Sequence, residues 1–292
     1  MLSEHAIAAN GGIRKVLSAG NEDVENIEIG LLLEAVYQYY GFDFRQYAPA
    51  SLKRRIRNCV RQERVSSVSA LQEKLLYNPA CMKRFLEELS IHVTALFRDP
   101  GFYRALREKV VPRLRTYPFI RIWHAGCSTG EEVYSVAILL QEEGLYDRAR
   151  LYATDMNEGV LCQARDGVYP LETMNAYGQN YLQAGGSRTL AEYFTAQYGR
   201  AIFHADLKRN IVWSQHNLAT DGSFNEFHVI LCRNVLIYFD RALQARVHRL
   251  LYESLAPFGM LGLGQMETIK FSEREARYEA LDDMEKWYIK TR

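Results

Sequence analysis

Two glycines, two adjacent acids and a third acid downstream are the residues in this sequence with the clearest chemical content. Gly126 and Gly130 bracket the turn HAGCSTG after the apolar run FIRIW, and Glu131 and Glu132 follow at once. Glycines in such a turn let backbone approach a ligand closely and accept positive φ. The spacing G-x-x-x-G is common, and the dinucleotide fingerprint G-x-G-x-x-G is absent. The acids say more. A helix start after such a turn is ordinarily an anion site, and carboxylates there suit the helix dipole while repelling a phosphate. They suit a ligand bearing an ammonium or sulfonium; the alternative is that they only cap the helix. Asp155 closes the run RLYATD, 25 residues beyond Gly130. An acid about there accepts hydrogen bonds from ribose hydroxyls in nucleotide-binding α/β folds, or else caps the helix starting near Asn157. A glycine turn without phosphate chemistry, a cation-seeking acid and a ribose-seeking acid together describe S-adenosylmethionine. That ligand has a ribose, an ammonium and a sulfonium but no phosphate.

These groups need a strand, a turn and a helix to hold them. FIRIW reads as the strand and EEVYSVAILLQEEG as the helix, the opening unit of a nucleotide-binding α/β domain. RLYATD, NIVWSQHN, FHVILCRN, MLGLG and KWYIKT read as further strands, with helices over MNEGVLCQARDG and from Asp240 to Leu255. The alternation implies a parallel sheet covered on both faces. From Tyr169 to Asn210 the connection is longer than usual. It is expected to hold a helix near Thr189 to Ala196 and a small β-hairpin subdomain at about 197–215. Upstream the pattern is helical: Ile29, Leu32, Leu33, Val36 and Tyr40 recur at spacings of three and four. Gly41 stops that helix, others run from Pro49 to Arg64 and from Val68 to Tyr77, and Pro79 precedes a fourth. The organisation expected is a tail over 1–26, a helical domain over 27–90 and an α/β domain over 116–292.

Composition excludes several classes. Thirty-six Lys and Arg against 35 Asp and Glu give a net charge of +1, so bulk charge names no partner. The five cysteines are widely spaced without a CxxC pair, which argues against a disulfide scaffold and a zinc site and fits a reducing cytosol. No apolar run approaches the roughly 20 residues of a membrane span, and Met1 to Gly20 has no signal-type apolar block. A soluble, cytoplasmic monomer is expected. His124, His204, His216, His228 and His248 lack metal-type spacing, so no metal is expected; Cys127 reads as packing rather than as a nucleophile. Without a broad basic surface, nucleic acid is not a partner. One local cluster remains. Leu52 to Arg64 carries six basic residues against Glu63 alone, and Lys53, Arg57, Arg61 and Arg64 fall on one stripe of a helix. Leu52, Ile56 and Cys59 face inward. With no acids at i+4 to neutralise it, the stripe is expected to bind an acidic helical surface of a partner protein; the alternative is a solvated face.

The segments TALFRDPGFY, IRIWHAGCSTGEEVYSVA, YATDMNEGVLCQARDGVY and VILCRNVLIYFD closely resemble the CheR family of chemotaxis-receptor glutamate O-methyltransferases. The resemblance runs from about Ile29 to the C-terminus. It implies an all-helical N-terminal domain, a linker over 91–115 carrying Thr94 and Arg98, then a Rossmann-like S-adenosylmethionine-dependent methyltransferase domain with a small inserted antiparallel β-subdomain. It also implies methyl transfer to glutamates in the cytoplasmic helical domain of a chemoreceptor or similar signalling protein, with S-adenosylhomocysteine as product. In the family motif N-x-T-x-F-F-R, Thr94 and Arg98 match, while His92 replaces Asn and Leu96 replaces Phe. The resemblance assigns His92, Thr94, Arg98 and Gly126 to the cofactor site, Glu132 to the methionine ammonium and Asp155 to the ribose. Asn217 and Leu218 would line the adenine pocket, Asn234 and Val235 the ligand wall, and Tyr238 would lie near the reacting methyl. The family's G-H-S-E appears as Gly264, Gln265, Met266 and Glu267. A glutamate carboxylate is ionised near neutral pH and needs no general base, so the reaction rests on alignment and removal of water. Arg98 would position either the cofactor carboxylate or the substrate glutamate. A non-catalytic cofactor-binding module is the alternative reading; an NAD-dependent oxidoreductase is disfavoured by the acids at the helix start. Family members whose hairpin docks a C-terminal receptor peptide have a longer hairpin loop, and the compact Tyr198 to Lys208 stretch implies independence of such a peptide.

Overall fold

The computed structural model describes residues 21–89, 94–270 and 272–291. The chain divides into two compact units, Met1–Ser90 and Ile91–Arg292. In the first, α1 (Asn21–Tyr40), α2 (Pro49–Gln62), α3 (Val68–Tyr77) and α4 (Pro79–Leu89) turn their apolar stripes inward. Leu32 and Val36 of α1, Ile56 and Cys59 of α2, Leu71 and Leu75 of α3 and Phe85 of α4 are buried. Ser67 caps α3 through Ala70 N. Arg55, buried on α2, donates to the carbonyls of Glu88 and Leu89 at the end of α4, which have no partner inside the helix. The first helix starts at Asn21, so residues 21–26, expected in the tail, are helical. No described helix is long and apolar enough to cross a membrane.

Among the described residues the second unit has ten strands: β1 (Ile120–Ala125), β2 (Ala149–Asp155), β3 (Val168–Pro170), β4 (Phe194–Gln197), β5 (Arg200–Phe203), β6 (Ile211–Gln215), β7 (Phe227–Cys232), β8 (Leu255–Leu263), β9 (Tyr278–Asp282) and β10 (Trp287–Lys290). Its helices are α5 (Pro100–Ala105), α6 (Val111–Leu114), α7 (Glu131–Glu142), α8 (Glu158–Asp166), α9 (Met174–Gln183) and α10 (Arg241–Ser254). Seven strands form one sheet in the order β6-β2-β1-β7-β8-β10-β9. The first five pair in parallel, and β10 runs antiparallel to both β8 and β9. Central strands of a sheet covered on both faces read as continuous apolar runs, which is why FIRIW and VILC stood out.

Three expectations are corrected. In the expected linker 91–115, the described residues 94–115 belong to the second unit: α5 passes through a π turn (Leu106–Val110) into α6, and Phe102, Tyr103, Val110 and Leu114 are buried in its core. Pro100 starts α5, and Pro112 falls in the first turn of α6, where its missing amide costs little. The inserted subdomain is not confined to 197–215. Its three strands, in the order β3-β5-β4, span 168–203, while β6 pairs with β2 in the main sheet. Within that expected range, Ala205–Leu207 form a 3-10 turn with Leu207 buried that delivers the chain to β6. The helix expected near Thr189 to Ala196 is one 3-10 turn, Leu190–Tyr193; its capping box of Thr189 and Glu192 imitates a longer helix start.

Candidate active site

Strand order reverses between β1 and β7, since the chain runs from β1 outward to β2 on one side and returns to β7 on the other. Ligands of open α/β sheets bind beyond the strand ends at such a point. The turn after β1 is shaped for close approach. Gly126 has φ +80°, and a Cβ there would lie 2.6 Å from Val235 Cγ2; at Gly130, φ +92°, it would lie 2.9 Å from the Ala164 Cβ. Both positions demand glycine on conformation and on space. The amides of Gly126 and Cys127 both donate to the Thr154 carbonyl at 2.9 Å, tying the turn to the end of β2. Asp155 follows that carbonyl. Its Oδ2 accepts from Ser128 N and its Oδ1 from Asn157 N, each at 3.0 Å. These contacts fix the direction of the carboxylate.

The second acid sits in a charged network that joins three loops. Glu132 Oε1 lies 3.0 Å from His124 Nδ1, and its Oε2 accepts from Arg233 Nη1 at 3.1 Å. Arg233, its side chain only 2% exposed, also donates to Asp99 Oδ2 at 2.8 Å and to the Arg98 carbonyl at 3.1 Å. Its guanidinium lies 4.0 Å from the centroid of Phe102, a cation–π contact. Burial pushes the Glu132 carboxyl up, but the His124 hydrogen bond and the Arg233 charge overcome it and hold the carboxyl below its ordinary value. Phe97 and Asp99, the two residues flanking Arg98, are both left-handed, at φ 52° and 59°. Phe97 N donates to Ser135 Oγ at 2.8 Å, and its ring packs on Tyr103 and Tyr181. With Ser128 and Asn234, half of the eight left-handed non-glycine residues among the described residues lie in these turns. Backbone strain gathers in this way where surrounding structure over-determines a site.

The third wall is the turn after β7. Asn234, at φ 60°, and its neighbours Val235 and Leu236 donate their amides to the carboxylate of Glu267, at 2.8 to 2.9 Å. Gly264 N donates to the same group at 2.7 Å. Glu267 is 4% exposed; burial pushes its carboxyl up while the four amides work against that shift. One side chain thus binds the end of β8 to the turn of β7. Sequence reasoning had met Glu267 only as the remnant of an altered motif. An acid three residues beyond the apolar run MLGLG was the available signal. Glu267→Gln replaces one acceptor oxygen by a donor facing amides. Hydrogen bonds to a charged group are worth about 1.5–3 kcal/mol, so S-adenosylhomocysteine affinity is expected to fall about tenfold or more. Hydrogen exchange at the amides of 234–236 should speed up. Wild-type exchange and affinity would show that the turn holds itself.

The remaining assignments fall as follows. Thr94 is half-buried at the start of the Arg98 turn, and His92 lies outside the described residues. Tyr238 ends the 3-10 turn Leu236–Tyr238. Leu218 is buried beyond β6, and the Asn217 side-chain oxygen accepts from Ala219 N within its own turn. In the first unit, the premise behind the basic stripe needs correction. Acids do neutralise half of it, from α1 rather than from i+4: Lys53 pairs with Glu22 and Glu25 at 3.1 and 3.2 Å, and Arg57 with Glu25 at 2.6 Å. Arg61 donates to Asn58. Arg61 and Arg64 make no ion pair among the described residues.

Comparisons with known proteins agree with this arrangement. Residues 92–284 match the family described as "CheR methyltransferase, SAM binding domain", and residues 27–90 match "CheR methyltransferase, all-alpha domain". A Pseudomonas putida protein, Cher3, named provisionally as a methyltransferase, is 50% identical over 256 residues, 88% of this chain and 94% of that one. Chemotaxis protein methyltransferase 2 of Pseudomonas aeruginosa is 30% identical over 243 residues, 80% of this chain and 84% of that one. The chemotaxis protein methyltransferase of Salmonella typhimurium is 32% identical over 203 residues, 68% of each chain. The matched region contains the three turns described above, and a glycine turn backed by acids suits a ligand with a ribose and cationic groups. The chain belongs to the CheR methyltransferase family and is an S-adenosylmethionine-dependent methyltransferase.

Proposed function

We propose that this enzyme acts in the cytoplasm and esterifies glutamate side chains in the helical cytoplasmic domain of a chemoreceptor or receptor-like signalling protein. The observation that carries the reading is the convergence of Asp155, the Glu132–Arg233 network and the Arg98 turn at the ends of β1, β2 and β7. It is supported by relatives named as chemotaxis methyltransferases. The bound cofactor supplies a methyl group on a sulfonium. In this reading Asp155 takes the ribose hydroxyls, and Glu132 the ammonium, its charge maintained despite burial by His124 and Arg233. Asn217 and Leu218 border the adenine, Asn234 and Val235 form the wall against Gly126, and His92 and Thr94 flank the amino acid end.

The acceptor carboxylate is ionised at neutral pH, so no residue has to remove a proton. What the chain contributes is alignment and exclusion of water. Arg98 is held between two left-handed residues at the mouth of the site, suited to direct a carboxylate without burying it in a strong anchor. Tyr238, at the end of the turn after β7, would lie near the reacting methyl. On the first unit, Arg61 and Arg64, together with the partly neutralised Lys53 and Arg57, present a surface for an acidic helix. Mass spectrometry of a chemoreceptor fragment after reaction tests the proposal: methyl esters on glutamates are expected, and methyl groups found only on other residue types would refute it.

The hairpin adds a prediction. β4 and β5 are joined by Tyr198 and Gly199 alone, both left-handed at φ 47° and 72°, a two-residue turn of the type that closes the tightest hairpins. With no longer loop to hold a peptide, methylation is expected not to depend on the receptor's C-terminal tail. Rates measured on intact and tail-truncated receptor should agree within about twofold, about 0.4 kcal/mol. Collapse of the rate on truncation would overturn this.

A further inference from the structure

The turns that follow β7 and β8 enclose a groove of about 590 Å³ that the candidate cofactor residues leave open. Its walls are the Leu236–Tyr238 turn, the first two turns of α10 and the chain from Met266 to Lys270. The position follows from topology. Gly126 and Asp155 crowd the ends of β1 and β2, on one side of the point where strand order reverses, and the ends of β7 and β8 lie on the other. A polypeptide lying in the groove would pass the turn that carries Tyr238.

The lining has a definite chemistry. Ile237 is 40% and Met266 84% exposed, an apolar pair that a monomer gains nothing by showing to water. Met266 stands where the family motif has a serine, and a thioether adapts to varied apolar partners. Arg241, on α10, and Lys270, on the chain after β8, are both exposed in the lining. Neither has an ion pair among the described residues, whereas Arg249 on the same helix pairs with Glu273, and Arg246 donates to the Thr220 carbonyl. The one carboxylate in the lining, Glu267, is committed to four backbone amides. An apolar strip between two unanswered cations fits an apolar strip edged with carboxylates. A helix is about 10–12 Å across, so a groove of this volume admits one face of it rather than the whole.

Resting on the methyltransferase reading above, we infer that this groove receives the acidic, amphipathic helical segment of the acceptor protein that flanks the methylated glutamate. The groove would set which glutamates reach Tyr238, while the cofactor residues set the chemistry.

The test uses the full-length enzyme and the soluble cytoplasmic fragments of chemoreceptors from the same cell, each assayed with labelled S-adenosylmethionine. Two variants are compared with wild type, Arg241→Glu/Lys270→Glu and Met266→Asp. The acceptor KM is expected to rise about tenfold in each at low salt, with kcat and S-adenosylhomocysteine affinity unchanged. For the charge-reversed pair the difference should narrow as salt rises and screening shortens. An unchanged acceptor KM in both variants would overturn the inference. If wild type transfers no methyl to any fragment, the functional reading fails, and binding of the same fragments is compared by sedimentation. Weaker binding by the variants would then support the groove alone; equal or absent binding would overturn it too.

Discussion

Asp155→Ala is expected to lower the affinity for S-adenosylhomocysteine about ten- to a hundredfold while the protein stays folded. The carboxylate ends β2, is aimed by the amides of Ser128 and Asn157, and stands beside the glycine turn. Losing a charge-assisted hydrogen bond to a ligand costs about 1.5–3 kcal/mol, and each 1.4 kcal/mol is tenfold in affinity. Calorimetry on the folded variant checks this, and wild-type affinity would remove Asp155 from the site. The same experiment on Glu132 needs a different substitution. Glu132→Ala would leave Arg233 buried and short of a counter-charge, a kind of change that costs about 3–5 kcal/mol of stability. Lost binding would then report unfolding. Glu132→Gln removes the same charge but keeps the shape and an amide oxygen to accept from Arg233, so cofactor affinity is compared only after its melting temperature shows it folded.

Arg98→Ala should separate turnover from binding. The residue is the one cation presented by the strained turn between Phe97 and Asp99, and its own carbonyl is tethered by Arg233. A group that aligns the reacting carboxylate acts mainly in the transition state, and its removal lowers kcat with little change in ground-state affinity. Removing one preorganised electrostatic contact costs about 10²–10³ in rate; a fall of roughly a hundredfold in kcat is expected, with cofactor affinity within about threefold. Arg98→Lys should recover only part of it, because an ammonium lacks the planar fork of donors. Equal losses in turnover and affinity would make Arg98 an anchor for the cofactor's own carboxylate.

How much of this was legible in the sequence depends on how local each feature is. The unit β1, glycine turn, α7 was legible because FIRIW, Gly126, Gly130 and the following acids lie within 15 residues of one another. The parallel sheet followed from repeats of the same pattern. Partners distant along the chain were not legible. Arg233 meets Glu132 and Asp99 across 101 and 134 residues, and no periodicity announces such a pair. Glu267 reaches back 31 to 33 residues to the amides of 234–236. The acids that partly neutralise the basic stripe come from α1, so an inspection of i+4 positions could not find them. The linker came from the resemblance rather than from a local pattern. A π turn ahead of Pro112 lets the chain stay helical there and bury Val110 and Leu114. Strands β3 and β9 are short or polar and lack the clean apolar alternation that marks a half-buried strand.

The central claim is that this site moves a methyl group from S-adenosylmethionine onto a protein carboxylate. The most direct measurement incubates the enzyme with methyl-labelled cofactor and purified chemoreceptor cytoplasmic fragment, then treats the washed fragment with base and collects volatile methanol. Carboxyl methyl esters hydrolyse under these conditions, whereas methyl groups on nitrogen stay with the protein. The expected result is time-dependent label in the fragment, released as methanol, with Arg98→Ala roughly a hundredfold slower. Label that survives base, or none above a control without enzyme, would contradict the account.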